Sequence, residues 1–167
     1  MNDEIFDIVN ERDEVIGRLP RFQVHRDAHK HRAVHVLVFN ARGEIFLQKR
    51  SRKKDTFPGA WDSSASGHVD SGEDYDACAV RELREELGLG IEAPPRRLFK
   101  IGACSETGHE FVWVYRLESE GPFTLHPEEI DCGGWFAPAH VDDWVKICPG
   151  DFASGFVLIW RNLTRAR

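Results

Sequence analysis

No uninterrupted apolar run approaches the roughly 18 residues that a membrane-crossing helix needs, so no membrane association is expected. CxxC pairs are also missing: Cys78, Cys104, Cys132 and Cys148 stand apart, and a chain of this size does not need disulfide staples, so a reducing, cytoplasmic setting is expected. A basic surplus is lacking too. The net charge of −6 argues against wrapping a nucleic-acid polymer but leaves a small phosphorylated ligand open. There is no repeat and no low-complexity tract, and the 8 prolines and 14 glycines are scattered, so no linker is indicated. The opening, Met1 to Gly17, is charged and alternating, without the basic and apolar regions of a signal peptide. What remains is 167 residues, 41% hydrophobic and 30% charged, which suits one globular domain over 1–167.

Short alternating stretches at Glu4 to Val9 and Glu14 to Leu19 predict an N-terminal β-hairpin that Pro20 ends. Ala33 to Asn40 and Glu44 to Lys49, joined by Asn40-Ala41-Arg42-Gly43, predict a second hairpin. Residues 51–72 have neither period and read as a long ordered loop, which in a small domain tends to carry function. Val80, Leu83 and Leu87 recur at helical spacing, so a helix is expected from Glu73 to Leu87, stopped by Gly88. Strands follow at Arg97 to Ile101, Phe111 to Leu117 and Gly134 to Phe136, with a helical turn near Ala139 to Val145. A last helix, capped by Asp151, carries the apolar stripe Phe152, Phe156, Ile159 and Leu163. This order describes an α/β fold, a mixed sheet packed between helices.

At about 100° per residue, Glu82, Glu85 and Glu86 fall within an arc of about 100°, so three carboxylates are expected on one exposed helix face. Like charges three and four residues apart cost a helix roughly 0.2–0.5 kcal/mol per pair, a repulsion that a cation between them relieves. Hard oxygen ligands select magnesium, calcium or manganese over zinc. By itself Arg81-Glu82-Leu83-Arg84-Glu85-Glu86 has a bland reading, a solvated charged face. The flanks decide against it: Gly67, five residues, Glu73, seven residues, Arg81-Glu82-Leu83, then Glu85-Glu86, one residue, and Gly88-Leu89. A chance match to this pattern is on the order of one in a million.

Gly67 to Leu89 resembles the complete Nudix box, and the order of elements around it resembles the Nudix αβα sandwich with its mixed sheet. The resemblance implies a hydrolase that cleaves the diphosphate linkage of a nucleoside diphosphate derivative or related small molecule with Mg²⁺ or Mn²⁺. It implies metal binding by the Gly67 carbonyl and the carboxylates of Glu82, Glu85 and Glu86, which Arg81 orients. Glu73 is given only a supporting role, because continued helical geometry would point it away from the other three. In several Nudix enzymes the base lies outside the box, and Glu128 and Glu129 are candidates here; ordinary loop solvation is the alternative. Lys49, Arg50, Arg52, Lys53 and Lys54 make a basic cluster, from which Arg50 and Lys54 are candidates for substrate phosphate and a solubilising turn is the alternative. Trp61, Trp113 and Trp135 could stack a base or fill the core. Proteins of this fold are often homodimers, and a homodimer is an open expectation.

His31-Arg32-Ala33-Val34, Phe39-Asn40, Pro58-Gly59-Ala60-Trp61 and Ser66-Gly67-His68 are similar to the isopentenyl-diphosphate isomerase branch of the superfamily. That branch uses a cysteine where this chain has Ser66. A serine hydroxyl is several pK units less acidic, so hydrolysis is expected in place of isomerisation. Glu110 matches the isomerase's glutamate partner and is a further substrate-contact candidate, while Gly108 stands where the isomerase has a metal-shell carboxylate. His25, His31 and His68 then read as a possible second metal site, although their spacing matches no closed zinc motif. The competing readings are an isomerase-like enzyme and a Nudix-fold sensor that binds nucleotides without turnover.

Overall fold

The computed structural model describes residues 4–166; Met1 to Asp3 and Arg167 of the expected 1–167 domain lie outside the described residues. A hairpin of β1 (Ile5–Val9) and β2 (Val15–Pro20) opens the chain, followed by a short helix, α1 (Arg21–Arg26). Then come β3 (His31–Phe39), β4 (Ile45–Arg50), β5 (Trp61–Asp62), β6 (Ala65–His68), α2 (Tyr75–Leu87), β7 (Arg96–Ile101), β8 (Glu110–Glu118), β9 (Ile130–Phe136), α3 (Pro138–Ile147) and α4 (Ser154–Arg165). Among the described residues no helix is long and apolar enough to cross a membrane.

The main sheet runs β5-β4-β3-β8-β7, with β6 also on β3 and β9 also on β4. On one edge β3 pairs in parallel with β8 along its whole length, from His31 opposite Glu110 to Phe39 opposite Glu118. On the other edge it is shared. Val38 and Phe39 pair with β4, and Ala33 to Val36 pair with β6. The sheet therefore forks: β4 leaves β3 to pair with β9 and β5, and a space opens between its branches.

Alternation along β3 feeds two cores. Leu37, Phe39, Val112 and Val114 face Val141 and Val145 of α3 and Phe156, Ile159 and Trp160 of α4. Val34, Val36, Val38 and Tyr115 face Ala79, Leu83 and Leu87 of α2. Burying a leucine such as Leu83 or Leu87 contributes about 1.5–3 kcal/mol. Helices on both faces of a mixed sheet make the expected αβα sandwich, with the N-terminal hairpin as an appendage.

Several boundaries differ from expectation. α2 begins at Tyr75 because Asp74 caps it, its side chain accepting from the Ala77 N–H at 2.8 Å, so Glu73 stays in the loop. At its far end Gly88 sits at φ 65°, and the Gly88 and Leu89 N–H groups close on the Arg84 and Leu83 carbonyls. The long loop contains β5 and β6, which are strands through pairing with β4 and β3 and not through composition. α1 is too short for a period to reveal it. Asp151 does not cap the last helix; it lies in a 3-10 turn and accepts from Trp144 Nε1 at 2.7 Å, while α4 starts after Ala153.

Asp13, in the turn between β1 and β2, ties the hairpin to the body. It accepts from Arg32 Nε at 2.7 Å, from Tyr75 Oη at 2.8 Å and from Lys100 Nζ. Burial opposes its ionisation, but these donors hold its carboxyl below the usual range. A carboxyl with a depressed folded pKa contributes stability that is present above its unfolded value, near 3.8, and is lost as pH falls through the folded value. Asp13→Asn is expected to cost about 1–3 kcal/mol at pH 7 in urea unfolding. The gap from wild type should hold down to pH 5 and narrow below about pH 4; a gap that persisted unchanged to pH 3 would show that the charge of Asp13 is not what stabilises the fold.

Candidate functional site

β6 passes so close to α2 that a Cβ on Gly67 would overlap the Glu82 carboxylate, so any side chain at this crossing would have to displace it. That approach buries Glu82 and Glu86 to 8% and 6% exposure, while Glu85 stays exposed. The expected single exposed face of three carboxylates is thus corrected: two of the three are covered by β6 and β4, which helical periodicity alone does not reveal. Arg81 reaches Glu73 through Nε and Nη2 at 2.8 and 2.9 Å, Glu82 and Glu85 through Nη1 at 2.7 and 3.2 Å, and the His68 carbonyl through Nη2 at 2.9 Å. Glu73 supports Arg81 from the loop, so its supporting position comes from preceding the helix and not from helical geometry.

Glu86 accepts from Gln48 Nε2 and, at 3.4 Å, from the Ser66 N–H. Burial pushes the Glu86 carboxyl up, although both of these donors favour its charged form. Burial and then the neighbouring Glu86 push Glu82 well up as well, against the pull of Arg81. Two desolvated carboxylates, Glu82 and Glu86, on one side of α2 are an oxygen donor set that fits Mg²⁺ or Mn²⁺, whose charge would offset the burial. Gln48 was not singled out from the sequence, where it is one polar position in an alternating strand.

A second cluster lies where β3, β6, β8 and α1 meet. Ligand atoms of His25, His31, His68 and Glu110 all lie within 4.8 Å of one another. His68 Nε2 is 2.9 Å and His31 Nε2 3.4 Å from Glu110 Oε1. His31 Nδ1 sits 2.9 Å from the His29 carbonyl, which only accepts, so Nδ1 carries a proton. Nε2 of both His25 and His31 is sealed from solvent without a hydrogen-bond partner. Burial, with His68 and His31 adding to it, pushes His25 down to about 4, which keeps its ring neutral and able to ligate. Burial opposes the charge on Glu110, yet His68 and His31 hold its carboxyl far below the usual range. Phe6 covers the cluster, its ring 4.8 Å from that of His68. Nitrogen-rich donors of this kind suit a transition metal.

The basic loop closes the other side. Lys54 pairs with Glu129, and Lys53 with Glu128 at 2.9 Å, so both candidate bases are held by lysines of the predicted phosphate loop. Arg50 is mostly occupied, donating from Nε and Nη2 to the Thr56 carbonyl at 3.1 and 3.0 Å and from Nη1 to Asp62 at 3.2 Å. It shapes the loop more than it reaches outward. Glu82, Glu85 and Glu86 line one cavity of about 680 Å³ together with His25, His68, Glu110, Arg50, Lys54, Glu128 and Glu129. Trp61, Trp113 and Trp135 do not line it; Trp61 packs on Phe136 and Trp144, Trp113 lies under Arg97, and Trp135 packs on Phe46. The phenyl rings at the cavity are those of Phe6 and the half-exposed Phe57, neither singled out from the sequence as a ligand contact.

Gly67→Ala is expected to displace Glu82 and weaken Mn²⁺ binding, followed by calorimetry, about tenfold or more, with the far-ultraviolet dichroism preserved. Unchanged affinity in that variant would remove Glu82 from the metal site.

A NUDIX domain model matches residues 29–152. The chain is 36% identical over 156 residues to a Nudix hydrolase of Deinococcus radiodurans, covering 93% of this chain and 90% of that one. It is 38% identical over 141 residues to an uncharacterized Nudix hydrolase of Yersinia pestis, covering 83% and 75% of the two chains. A crystal structure of a Deinococcus radiodurans protein superposes with a TM-score of 0.81 at 34% identity, covering 95% of this chain and 98% of that one. The Nudix domain of Shewanella oneidensis NrtR, solved with ADP ribose, shares the fold at 16% identity and a TM-score of 0.61. Similarity of this extent, running through the sheet as well as through the box helix, shows that the chain belongs to the Nudix hydrolase family.

Proposed function

We propose that the chain hydrolyses the diphosphate linkage of a nucleoside diphosphate derivative or a related small molecule in a reaction that depends on Mg²⁺ or Mn²⁺. The observation that carries this reading is the pair of buried carboxylates, Glu82 and Glu86, packed against Gly67. The Gly67 carbonyl with Glu82, Glu85 and Glu86 would hold the ions, which when bound supply charge for the diphosphate oxygens and acidify a water. Arg81 keeps Glu82 and Glu85 in place through its fork of donors. Lys54 offers its ammonium to a substrate phosphate, and the same contact frees Glu129 to take a proton from the attacking water. Glu128, exposed and paired with Lys53, is the weaker base. Arg50 contributes one remaining N–H and the shape of the loop.

The isomerase-like reading loses its acid at Ser66 and keeps Glu110 among histidines. The sensor reading draws support from fold alone, through the ADP ribose complex of the distant NrtR domain. Intact box carboxylates favour turnover over sensing.

His25, His31 and His68, with Glu110, make the second metal site of this proposal, taking a softer ion such as Zn²⁺, Co²⁺ or Ni²⁺. With Co²⁺ the wild type should show one equivalent with visible absorption of a nitrogen-ligated ion, lost in His68→Ala; an identical spectrum in that variant would refute the site.

The main test is phosphate or mononucleotide release from a panel of diphosphates, isopentenyl diphosphate included, with and without Mg²⁺ or Mn²⁺. Release should require metal and fall about a hundredfold or more in Glu86→Gln, which removes a ligand charge at nearly constant shape. Near-normal turnover in Glu86→Gln, or turnover without metal, would sink the mechanism.

A further inference from the structure

The floor of the cavity holds polar atoms that neither metal cluster uses. Along β3 the side chains of Ala33 and His35 share one face, and directly across the strand pair stand His68 and Ser66. His35 and Ser66 both line the cavity.

His35 is fixed from behind. Its Nδ1 is 2.8 Å from Ser63 Oγ and 3.7 Å from Asp62 Oδ1. Asp62 is itself immobilised, Oδ1 accepting from the Ser63 N–H at 2.8 Å and Oδ2 from Arg50 at 3.2 Å. A buried carboxylate behind Nδ1 favours the tautomer with the proton there, which leaves a lone pair on Nε2. Burial also favours the neutral ring. Nε2 has no hydrogen-bond partner among the described residues and is not one of the sealed atoms, so it opens on the cavity. Ser66 Oγ has no partner among them either; its residue is held through the backbone N–H on Glu86. Directly opposed residues have Cβ atoms about 4.5–5.5 Å apart, so an acceptor and a hydroxyl stand side by side. Ser66 also immediately precedes Gly67, the residue whose carbonyl would hold the ions in the reading above.

The geometry points to a sugar-reading pair: His35 Nε2 accepts from one hydroxyl of a ribose, and Ser66 Oγ pairs with the vicinal one. This assignment rests on the diphosphate reading and adds the substrate class, a ribonucleoside diphosphate whose cis-diol lies on the β3–β6 floor. Two neighbouring hydroxyls on one sugar ring reach two adjacent groups at once, which a lone hydroxyl on a flexible chain does not. His35 is a specificity residue here and Ser63, Asp62 and Arg50 are positioning residues that set its tautomer.

The test measures calorimetric binding of three probes, ADP, 2′,3′-dideoxyadenosine diphosphate and methyl diphosphate, with Ca²⁺ replacing Mg²⁺ to slow turnover. The wild type should prefer ADP over the dideoxy compound by roughly tenfold or more. His35→Phe and, as the variant less prone to disturb folding, Ser66→Ala should each reduce that preference roughly fivefold to tenfold while leaving methyl diphosphate affinity unchanged. His35→Gln, which restores an acceptor, should recover part of it. A purely structural role would weaken all three probes together and overturn the assignment. So would equal binding of both nucleotides by the wild type, or a preference that survives in both variants. Binding of methyl diphosphate without either nucleotide would overturn the ribose assignment and leave the diphosphate reading standing; binding of none of the three would bring down that reading and the assignment with it.

Discussion

The close crossing of β6 over α2 at Gly67 is the constraint around which the molecule is arranged. It brings a backbone without a side chain against Glu82 and takes two carboxylates out of water, a state that costs several kcal/mol per ion unless charge or hydrogen bonds offset it. The surrounding residues answer that cost. Arg81 forks between the loop and the helix, Gln48 reaches over from β4, and the Ser66 N–H turns inward. The apolar contacts of Leu83 and Leu87 with the sheet hold α2 at that distance. The interior charge is therefore built to be completed from outside the chain, in keeping with the family's general dependence on divalent metals.

What could be read from the sequence followed the range of the interactions. The box was legible because its spacing is local to one loop and one helix, and both caps of α2 are coded within it. The αβα layering was legible from the order of periodic segments. β5 and β6 were not, because Trp61-Asp62 and Ala65-Ser66-Gly67-His68 become strands only by pairing with β4 and β3. The burial of Glu82 and Glu86 was hidden for the same reason: helical spacing reports which residues share a face, not what covers it.

The histidines show the intermediate case. His25, His31 and His68 were picked out by likeness to a related branch, while Glu110 was placed with substrate; the structure gathers all four from α1, β3, β6 and β8. The tryptophans went the other way, into packing beside α3 and β9 and under Arg97. The setting of His35 is not coded locally. Its neighbours Asp62 and Ser63 lie 27 and 28 positions away, and only the fork of the sheet brings them behind its ring.

The fork leaves β6 four residues long, and its pleat divides the labour: Ser66 and His68 point to one side, Gly67 to the other. Because that alternation has a period of two, the strand behaves as a reading frame. A single residue added or removed between Asp62 and Gly67 would exchange the two sides together, driving a side chain into Glu82 and turning the serine and histidine away from the cavity. Point substitutions in the loop before β6 alter one contact at a time; a change of length there rewrites the whole centre in one step. The spacing of Asp62 from Gly67 is thus as much a part of the centre as the residues themselves.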